Sequence, residues 1–424
     1  MTMYHKSVLA NGLRIITAPM PHTRSATVSI FVGAGSRYEP DEVAGISHFV
    51  EHMLFKGTER RPTPREVTEE VERVGGIINA ATDRELTVYW AKVPRPAFER
   101  AFDCLVDMVR HSRFDPVELE KERKVIIEEL NMVHDSPQQL VDLLIDEVLW
   151  PDQPLGRDIA GTKETVSRIT RDEQIAYVAR QYSPGNTVVS VAGNVDHAEV
   201  VALAERYLGD WAPHAVAPMF PALDGQTAPR LKVLSKKTEQ AHLSIAVRAL
   251  DARHPDRYAL DLINVILGEG MSSRLFLEIR ENLGLAYDVH SYVSRFQDTG
   301  ALTIYAGVDP KRVDAAIAAL LRELSRLARE PVGEEELAKA KDLVKGRLLL
   351  RLEDTRAVSS SYGNQELLLG EIMTADDIVR IVDTITRDDL HRVANELFRD
   401  ERLNLAVVGA YRSEERFRSL LTLA

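Results

Sequence analysis

The chain has 424 residues, of which 45% are hydrophobic and 28% are charged, and its formal net charge is −12. These values indicate a globular protein of about two or three domains, and the negative balance argues against sequence-independent binding of nucleic acid. No stretch has the roughly 18 uncharged apolar residues of a membrane span. Its single cysteine, Cys104, excludes intrachain disulfides and cysteine-rich zinc modules. Any metal would therefore be held by His, Asp or Glu, and a reducing, cytoplasmic location is expected.

The first element that carries chemistry is a short helix in "GISHFVEHMLFKGT", residues 45–58. On a helix, His48, Glu51 and His52 fall on one face, and apolar residues cover most of the rest. Such a helix is buried, and polar groups buried together cost on the order of several kcal/mol unless something satisfies them. Two imidazoles one turn apart can bind one ion, with the glutamate reaching its water, as in the inverted zincin pattern His-x-x-Glu-His. The alternative is a pair of histidines hydrogen-bonded in an ordinary core.

Further along the chain, "GGIINAATDRELTVYW" at 75–90 predicts a glycine turn followed by a strand. On its own, this pattern is also that of an ordinary edge strand with a polar margin.

A second helix, predicted in "EKERKVIIEELNMVHD" at 120–135, offers a third ligand. Its apolar stripe consists of Val125, Ile126, Leu130 and Val133. Glu122 and Glu129 lie within that stripe, whereas Glu128 lies on its rim. A buried carboxylate needs a cation or a hydrogen-bond network, so the pattern favours Glu129 as the ligand, with Glu122 close behind. A solvated acidic face is the alternative interpretation.

The two halves of the chain resemble each other on either side of 211–230, a proline-rich segment that predicts an irregular connector. "LTVYWAKVPRP" begins at Leu86 and "LTIYAGVDPKR" begins at Leu302, 216 residues later. Both are followed by an amphipathic helix, Pro-Val and an acidic helix. This predicts a duplicated unit of roughly 200 residues; chance similarity of two α/β segments is the alternative. The same offset carries His48 and His52 to Asn264 and Gly268, so only the first copy has the histidines.

Jointly, these motifs resemble those of the pitrilysin family of inverted-zinc metallopeptidases. The likeness is strongest to its short branch, which includes the mitochondrial processing peptidase β subunit and its bacterial relatives. The likeness spans nearly the whole chain. The matching segments are "GAGSRYE" at 33–39, "HFVEH" at 48–52, the strand segment at 75–90, "ERKVIIEE" at 122–129 and "RENLGLAYDVHS" at 280–291.

The resemblance implies an α+β fold of two homologous domains, each a mostly antiparallel sheet covered by helices. The N-terminal, zinc-binding domain would span 1–215, and a linker would span 216–230. The C-terminal domain, at 231–424, would lack the zinc motif and supply contacts to the substrate.

The resemblance also implies roles for the polar residues of the first half. His48, His52 and Glu129 would bind zinc, and Glu51 would be the general base. Glu122 would orient a histidine ligand and adjust its basicity. One zinc per chain is expected, although a set of two histidines and one glutamate also accepts manganese or cobalt.

Substrate contacts follow from the resemblance in the same way. Asn79, Ala80 and Thr82 match a sheet edge on which a peptide adds as an extra strand. Arg280 and Tyr287 match an arginine–tyrosine pair that hydrogen-bonds the substrate backbone and the developing oxyanion. From the sequence alone, Arg280 would be an ordinary surface charge and Tyr287 a core aromatic.

The predicted function is zinc-dependent cleavage of peptides or unfolded polypeptide segments inside the chamber of a homodimer. A heterodimer with an inactive relative is the second choice for the assembly. A non-catalytic assembly subunit and a metalloenzyme acting on another small substrate are the alternatives for the function. No nucleic acid and no membrane span are expected.

Overall fold

The computed structural model describes residues 3–423, and the chain folds into two units, each with its own sheet. Unit 1 contains the chain up to Leu130, together with Asp158–Phe220 and Leu349–Thr374. Unit 2 contains Asn131–Arg157, Pro221–Leu348 and the chain from Ala375 onward.

The strands are rich in β-branched and other apolar residues. Along each strand, successive side chains point alternately to the core and to the opposite face of the sheet. In chain order they are β1 His5–Val8, β2 Arg14–Pro19, β3 Ser25–Val32, β4 Ile77–Thr82, β5 Thr87–Pro94, β6 Thr187–Gly193, β7 Arg230–Ser235, β8 Ala241–Ala249, β9 Ala286–Arg295, β10 Gly300–Val308 and β11 Asn404–Gly409.

The α-helices are amphipathic for the most part, and several begin with a Ser, Thr or Asp cap. They are α1 Ile46–Leu54, α2 Pro64–Glu72, α3 Phe98–His111, α4 Pro116–Asp135, α5 Pro137–Leu149, α6 Lys163–Arg168, α7 Arg171–Gln181, α8 His197–Leu208, α9 Arg257–Gly268, α10 Val313–Arg329, α11 Glu334–Arg351, α12 Thr355–Leu369, α13 Ala375–Thr384, α14 Arg387–Leu397 and α15 Glu415–Arg418. No helix among residues 3–423 is long and apolar enough to cross a lipid bilayer.

The two sheets repeat one topology. The sheet of unit 1 has the order β1-β2-β6-β3-β5-β4, and that of unit 2 has the order β7-β11-β8-β10-β9. In each sheet one pair is parallel, β2 with β6 and β11 with β7, and the other pairs are antiparallel. This confirms the prediction of an α+β fold with mostly antiparallel sheets, and the common topology agrees with a duplicated unit.

Helices cover both faces of each sheet. In unit 1 the core lies between one sheet face and helices that include α1 and α3, and in unit 2 it lies between the sheet and helices that include α9, α10 and α14. Burial of each large apolar side chain contributes about 1.5–3 kcal/mol relative to its exposure. The opposite face is covered by α12 in unit 1 and by α5 in unit 2.

Each sheet is therefore covered by a helix from the other half of the sequence. Gly363 lets α12 approach its sheet closely, because a Cβ atom there would lie 2.1 Å from the Phe31 ring. In unit 2, the buried Arg248 of β8 donates hydrogen bonds to the carbonyl oxygen of Leu149 at the end of α5. The predicted domain boundaries, 1–215 and 231–424, describe the two copies of the repeat along the sequence and not the two compact units. They stay a prediction.

Candidate metal centre

The position of α1 is fixed at its N-terminus by a buried carboxylate. Glu39 accepts hydrogen bonds from the backbone N–H groups of Gly45, at 2.7 Å, and Ser47, at 2.8 Å. These donors have no partner inside the helix, and a negative charge is favourable at this end of the helix dipole. Gly45 has φ 94°, and a Cβ atom there would lie 2.4 Å from the carbonyl oxygen of Ala160, so only glycine fits.

Two histidines on α1 and one glutamate on α4 meet in unit 1. Glu129 Oε2 lies 3.8 Å from His48 Nε2 and 3.6 Å from His52 Nε2. One ligand atom from each of the three side chains lies within 4.8 Å of the others, and this is the one such group of His, Cys, Asp and Glu side chains among residues 3–423. Glu129 is partly buried, whereas its neighbour Glu128 is exposed, in agreement with the preference for Glu129 in the sequence.

Glu122 contacts the second histidine, His52, at the ring nitrogen that does not face Glu129. Its Oε2 lies 3.0 Å from His52 Nδ1, and its Oε1 lies 2.7 Å from Lys56 Nζ. Burial raises the pKa of Glu122, but the hydrogen bonds from His52 and Lys56 outweigh it, so the pKa is lowered overall. An anionic Glu122 orients the His52 ring with Nε2 towards Glu129.

Glu51 lies between the two histidines in the sequence and is held by a strand residue. Thr82 Oγ1 donates a hydrogen bond to Glu51 Oε2 at 2.5 Å. Burial raises the pKa of Glu51, and the charge of Glu129 raises it further, while the Thr82 hydrogen bond and His52 oppose this; the net shift is upward. A carboxylate with a raised pKa is a better proton acceptor than an exposed one.

The pKa values of the two imidazoles are shifted in opposite directions. Burial lowers the pKa of His48 to about 4, with a contribution from the neighbouring His52. Burial also lowers the pKa of His52, but the hydrogen bond to Glu122 and the nearby carboxylates of Glu129 and Glu51 raise it overall. His48 is therefore neutral at pH 7, which is the form that binds a metal.

The residues fit a divalent cation of the zinc type. The donor set consists of two imidazole nitrogens and one carboxylate oxygen, which is the set found in catalytic zinc sites. His48 Nδ1 is buried without a hydrogen-bond partner in the part of the chain that the structure describes, which is costly for a core histidine without a further role. A carboxylate behind the second imidazole is the usual support of a metal-binding histidine.

The predicted substrate strand is β4, which forms one edge of its sheet. The strand prediction for 75–90 was incomplete, because this segment forms a hairpin of β4 and β5. Ala80 and Thr82 are half-buried on one face, and Asn79 is exposed on the other face. The Asn79 side chain accepts a hydrogen bond from the Ala80 N–H at 2.8 Å.

Arg280 and Tyr287 come together in unit 2. Arg280 lies on a π-helix, Phe276–Asn282, and Tyr287 lies on β9. The guanidinium carbon of Arg280 is 4.7 Å from the centre of the Tyr287 ring. Tyr287 is 74% exposed, so the interpretation of this residue as a core aromatic is wrong.

The sequence did not predict the supporting roles of Glu39, Lys56 and Thr82. Lys56 lies four residues after His52, just beyond the end of α1, and this spacing of one helical turn is a local signal that the two residues share a side. Glu39 lies in the matched segment at 33–39, but no local pattern predicts that it reaches the start of α1. Val125, predicted in the apolar stripe of α4, is 43% exposed, and the buried residues of α4 are Leu119, Glu122, Ile126 and Leu130.

A two-unit α+β fold with a partly buried cluster of two histidines and a glutamate is typical of one class of proteins, the zinc metallopeptidases. Comparison with known proteins supports an assignment to this class. The family model for insulinase, peptidase family M16, matches residues 14–163, and the model for the peptidase M16 inactive domain matches residues 168–344.

Relatives cover nearly the whole chain. The uncharacterized zinc protease YmxG of Bacillus subtilis is 37% identical over 90% of this chain and 93% of its own length. An uncharacterized zinc protease of Streptomyces coelicolor is 36% identical over 97% of this chain and 91% of its own. The crystal structure of a protease from Helicobacter pylori has the same fold, with a TM-score of 0.90, 24% identity, and coverage of 96% of this chain and 99% of that one. The chain belongs to peptidase family M16, the pitrilysin family, which confirms the resemblance.

Proposed function

We propose that the protein is a zinc-dependent endopeptidase that hydrolyses peptides or unfolded polypeptide segments. The observation that carries the proposal is the convergence of His48, His52 and Glu129 within 4.8 Å in unit 1. These three residues would hold one zinc ion per chain, and the relatives named zinc proteases favour this metal. Bound there, zinc would act as a Lewis acid and lower the pKa of water in its open position to about 7.

Glu51 is the proposed general base. Its Oε2 accepts the hydrogen bond from the Thr82 hydroxyl, which fixes the orientation of the carboxylate. The Glu51 carboxylate would take a proton from the attacking water and later pass it to the departing amine nitrogen. The raised pKa of Glu51 supports this role, because the carboxylate then holds the proton long enough to transfer it.

A peptide substrate would add to the free edge of β4 as a further strand. Hydrogen bonds between backbones give affinity with little dependence on sequence, which suits unfolded segments. Ala80 and Thr82 would flank the peptide on the side of the metal cluster, because Thr82 contacts Glu51. Asn79 would contact it from the other face.

Arg280 and Tyr287 would donate hydrogen bonds to the substrate backbone and to the oxyanion that develops at the carbonyl under attack. The chain carries both this pair and the metal cluster, so two copies can supply everything that a site needs. We propose a homodimer in which the metal cluster of one subunit works with the arginine–tyrosine pair of its partner. The C-terminal half would then supply substrate contacts and bind no metal.

The test is the variant Glu51→Gln, which keeps the size of the side chain and removes its basicity. We expect about one zinc per chain to remain and cleavage of an unstructured fluorogenic peptide to fall by at least about 100-fold, the lower range for loss of a general base. Glu128→Gln, an exposed neighbour of Glu129, is the control and should cleave normally. Unchanged turnover by Glu51→Gln would contradict the assignment of the base.

Two further outcomes separate the alternatives. A wild-type protein that binds zinc but cleaves no peptide under any condition would favour a non-catalytic assembly subunit. For the dimer, chains with Glu51→Gln are mixed with chains carrying Arg280→Ala. Recovered cleavage supports a site shared between two copies, and no recovery in verified mixed dimers contradicts it. Activity that appears only after addition of a different family member would favour a heterodimer.

A further inference from the structure

Arg280 lies against two aromatic rings in unit 2. Its guanidinium carbon is 4.8 Å from the centre of the Phe276 ring and 4.7 Å from the centre of the Tyr287 ring. Among residues 3–423 its one ion pair is with Glu281, whose Oε1 lies 3.6 Å from Nε, and its N–H groups make no hydrogen bond. The rings therefore restrict the position of the cation, while its donors stay free for another molecule.

The backbone around this stack has an unusual local structure. Phe276–Asn282 is a π-helix, a form that occurs mostly in single turns and often at functional sites. The N–H of Leu283 donates to the carbonyl oxygen of Glu278 at 3.0 Å, the spacing of a π-turn. Gly284 follows with φ 55°, a conformation that favours glycine, and the chain then enters β9 with Tyr287 beside the turn.

The residue that directly precedes α10 fixes the same turn from outside. Arg312 donates hydrogen bonds to the carbonyl oxygens of Gly284, at 3.0 Å, and Leu283, at 3.2 Å. The turn that carries Arg280 is thus held at its C-terminal end. Of the two rings, that of Tyr287 is 74% exposed and that of Phe276 is half-buried, so Phe276 is the better-fixed side of the stack.

We propose that Phe276 is a positioning residue for Arg280. A long arginine side chain without fixed partners samples many rotamers, and ordering it at the moment of reaction costs free energy. The attraction between a guanidinium and the face of a ring orders it beforehand, with its donors directed to the substrate. The inference rests on the proposed function, in which Arg280 contacts the substrate backbone and the developing oxyanion.

The variant Phe276→Leu removes the ring and keeps an apolar side chain. We expect kcat/KM for an unstructured peptide to fall roughly 10-fold, mainly through kcat, with zinc content unchanged. Phe276→Tyr keeps the ring and should restore the rate. In the Arg280→Ala background, Phe276→Leu should cause no further loss, because the residue that it positions is already absent. An equal loss in both backgrounds would mean a merely structural role and would overturn the inference.

A second measurement is independent of cleavage. In the spectrum of ¹⁵N-labelled arginine side chains, the Nε–H signal of Arg280 is the one lost in Arg280→Ala. We expect this signal to move in Phe276→Leu, as the ring current disappears, and to stay near its wild-type position in Phe276→Tyr. An unchanged signal in Phe276→Leu overturns the inference alone. No cleavage by the wild-type protein overturns the proposed function, and with it the role that the stack serves.

Discussion

Helices α1 and α9 occupy the same place in the two copies of the repeat, each beside the edge strand of its sheet, yet they satisfy their polar groups differently. On α9, Asn264 stands at the position of His48. Its Oδ1 accepts a hydrogen bond from Ser291 Oγ at 2.7 Å, and its Nδ2 donates to Glu269 Oε2 at 3.1 Å. On α1, a buried nitrogen of His48 has no such partner in the described part of the chain.

The second histidine position differs even more. Gly268 stands where α1 has His52, and a Cβ atom there would lie 2.5 Å from Ser291 Oγ. The helix of unit 2 packs directly on its own strand and leaves no room for an imidazole. In unit 1, by contrast, side chains lie between the helix and the strand, because Glu51 of α1 contacts Thr82 of β4. One copy is therefore closed by its own contacts, and the other brings together the three side chains that we propose as ligands of an ion.

The largest effect is expected when a residue of α9 is introduced at the equivalent position of α1. His48→Asn removes one imidazole from the cluster. We expect loss of stoichiometric zinc, and a fall in peptide cleavage larger than the roughly 100-fold that loss of a supporting partner costs. Zinc per chain by elemental analysis and kcat/KM for a peptide are the measurements. His134→Asn, an exposed histidine at the end of α4, is the matched control; full zinc occupancy in His48→Asn would contradict the assignment.

A smaller effect is expected from the residue behind His52. Glu122→Gln keeps a hydrogen-bond acceptor for the ring but removes the negative charge, so the imidazole becomes less basic. We expect zinc affinity to fall by about 10- to 100-fold. Competition with a chelator measures it. Glu120→Gln, an exposed acid on the same helix that pairs with Arg123, should bind zinc as the wild type does. Equal affinities for the two variants would count against the orienting role.

The closed packing of unit 2 can be tested through stability. Gly268→Ala places a Cβ atom 2.6 Å from the backbone nitrogen of Ser291, so the helix or the strand must shift. We expect a loss of about 1–3 kcal/mol in the free energy of unfolding. Gly346→Ala on α11 meets no atom within 4 Å and should stabilise by about 0.5–1 kcal/mol. Denaturant titration of both variants compares them, and unchanged stability in Gly268→Ala would refute the tight contact.

Helix α5, which covers the sheet of unit 2, offers the test with the smallest expected effect, and this effect depends on pH. Burial raises the pKa of Asp142 on α5 to about 6, and the charge of Asp146 adds to this. The folded chain therefore keeps this proton at a pH where the unfolded chain, with a pKa near 3.8, has lost it. The ionised group destabilises the fold above about pH 6, and the cost vanishes as the pH falls towards 4.

Asp142→Asn should accordingly stabilise the protein by about 1–2 kcal/mol at pH 8 and leave stability unchanged near pH 4. Glu147→Gln, an exposed acid on the same helix, is the control. Denaturation midpoints at both pH values give the comparison. A stabilisation of equal size at pH 4 and pH 8 would contradict the titration as its cause.

Much of the metal centre could be predicted because its determinants are local. His48, Glu51 and His52 share a helix face at fixed spacing, and the burial of that helix follows from its composition. The preference for Glu129 over Glu128 follows from the angle between successive residues on a helix. The sheet edge at β4 followed from the resemblance, and the common topology of the two sheets agrees with the repeat read from Leu86 and Leu302.

The contacts that support the site could not be predicted, because they join segments far apart in the chain. The hydrogen bond between Thr82 and Glu51 depends on how a strand and a helix pack. The exchange of α5 and α12 between the sheets leaves no signature in either half, since each helix has the same apolar face whichever sheet it covers. The interpretation of Tyr287 as a core residue followed from the usual burial of aromatic side chains. Here the ring is exposed and contacts a half-buried arginine.

Anomalous X-ray scattering at the zinc edge, from crystals of the wild-type protein, tests the central claim most directly. One strong peak per chain is expected, within bonding distance of the side chains at 48, 52 and 129 and absent in the His48→Asn variant. A wild-type protein purified with excess zinc that has no peak there, or whose peak lies on other residues, would contradict the account.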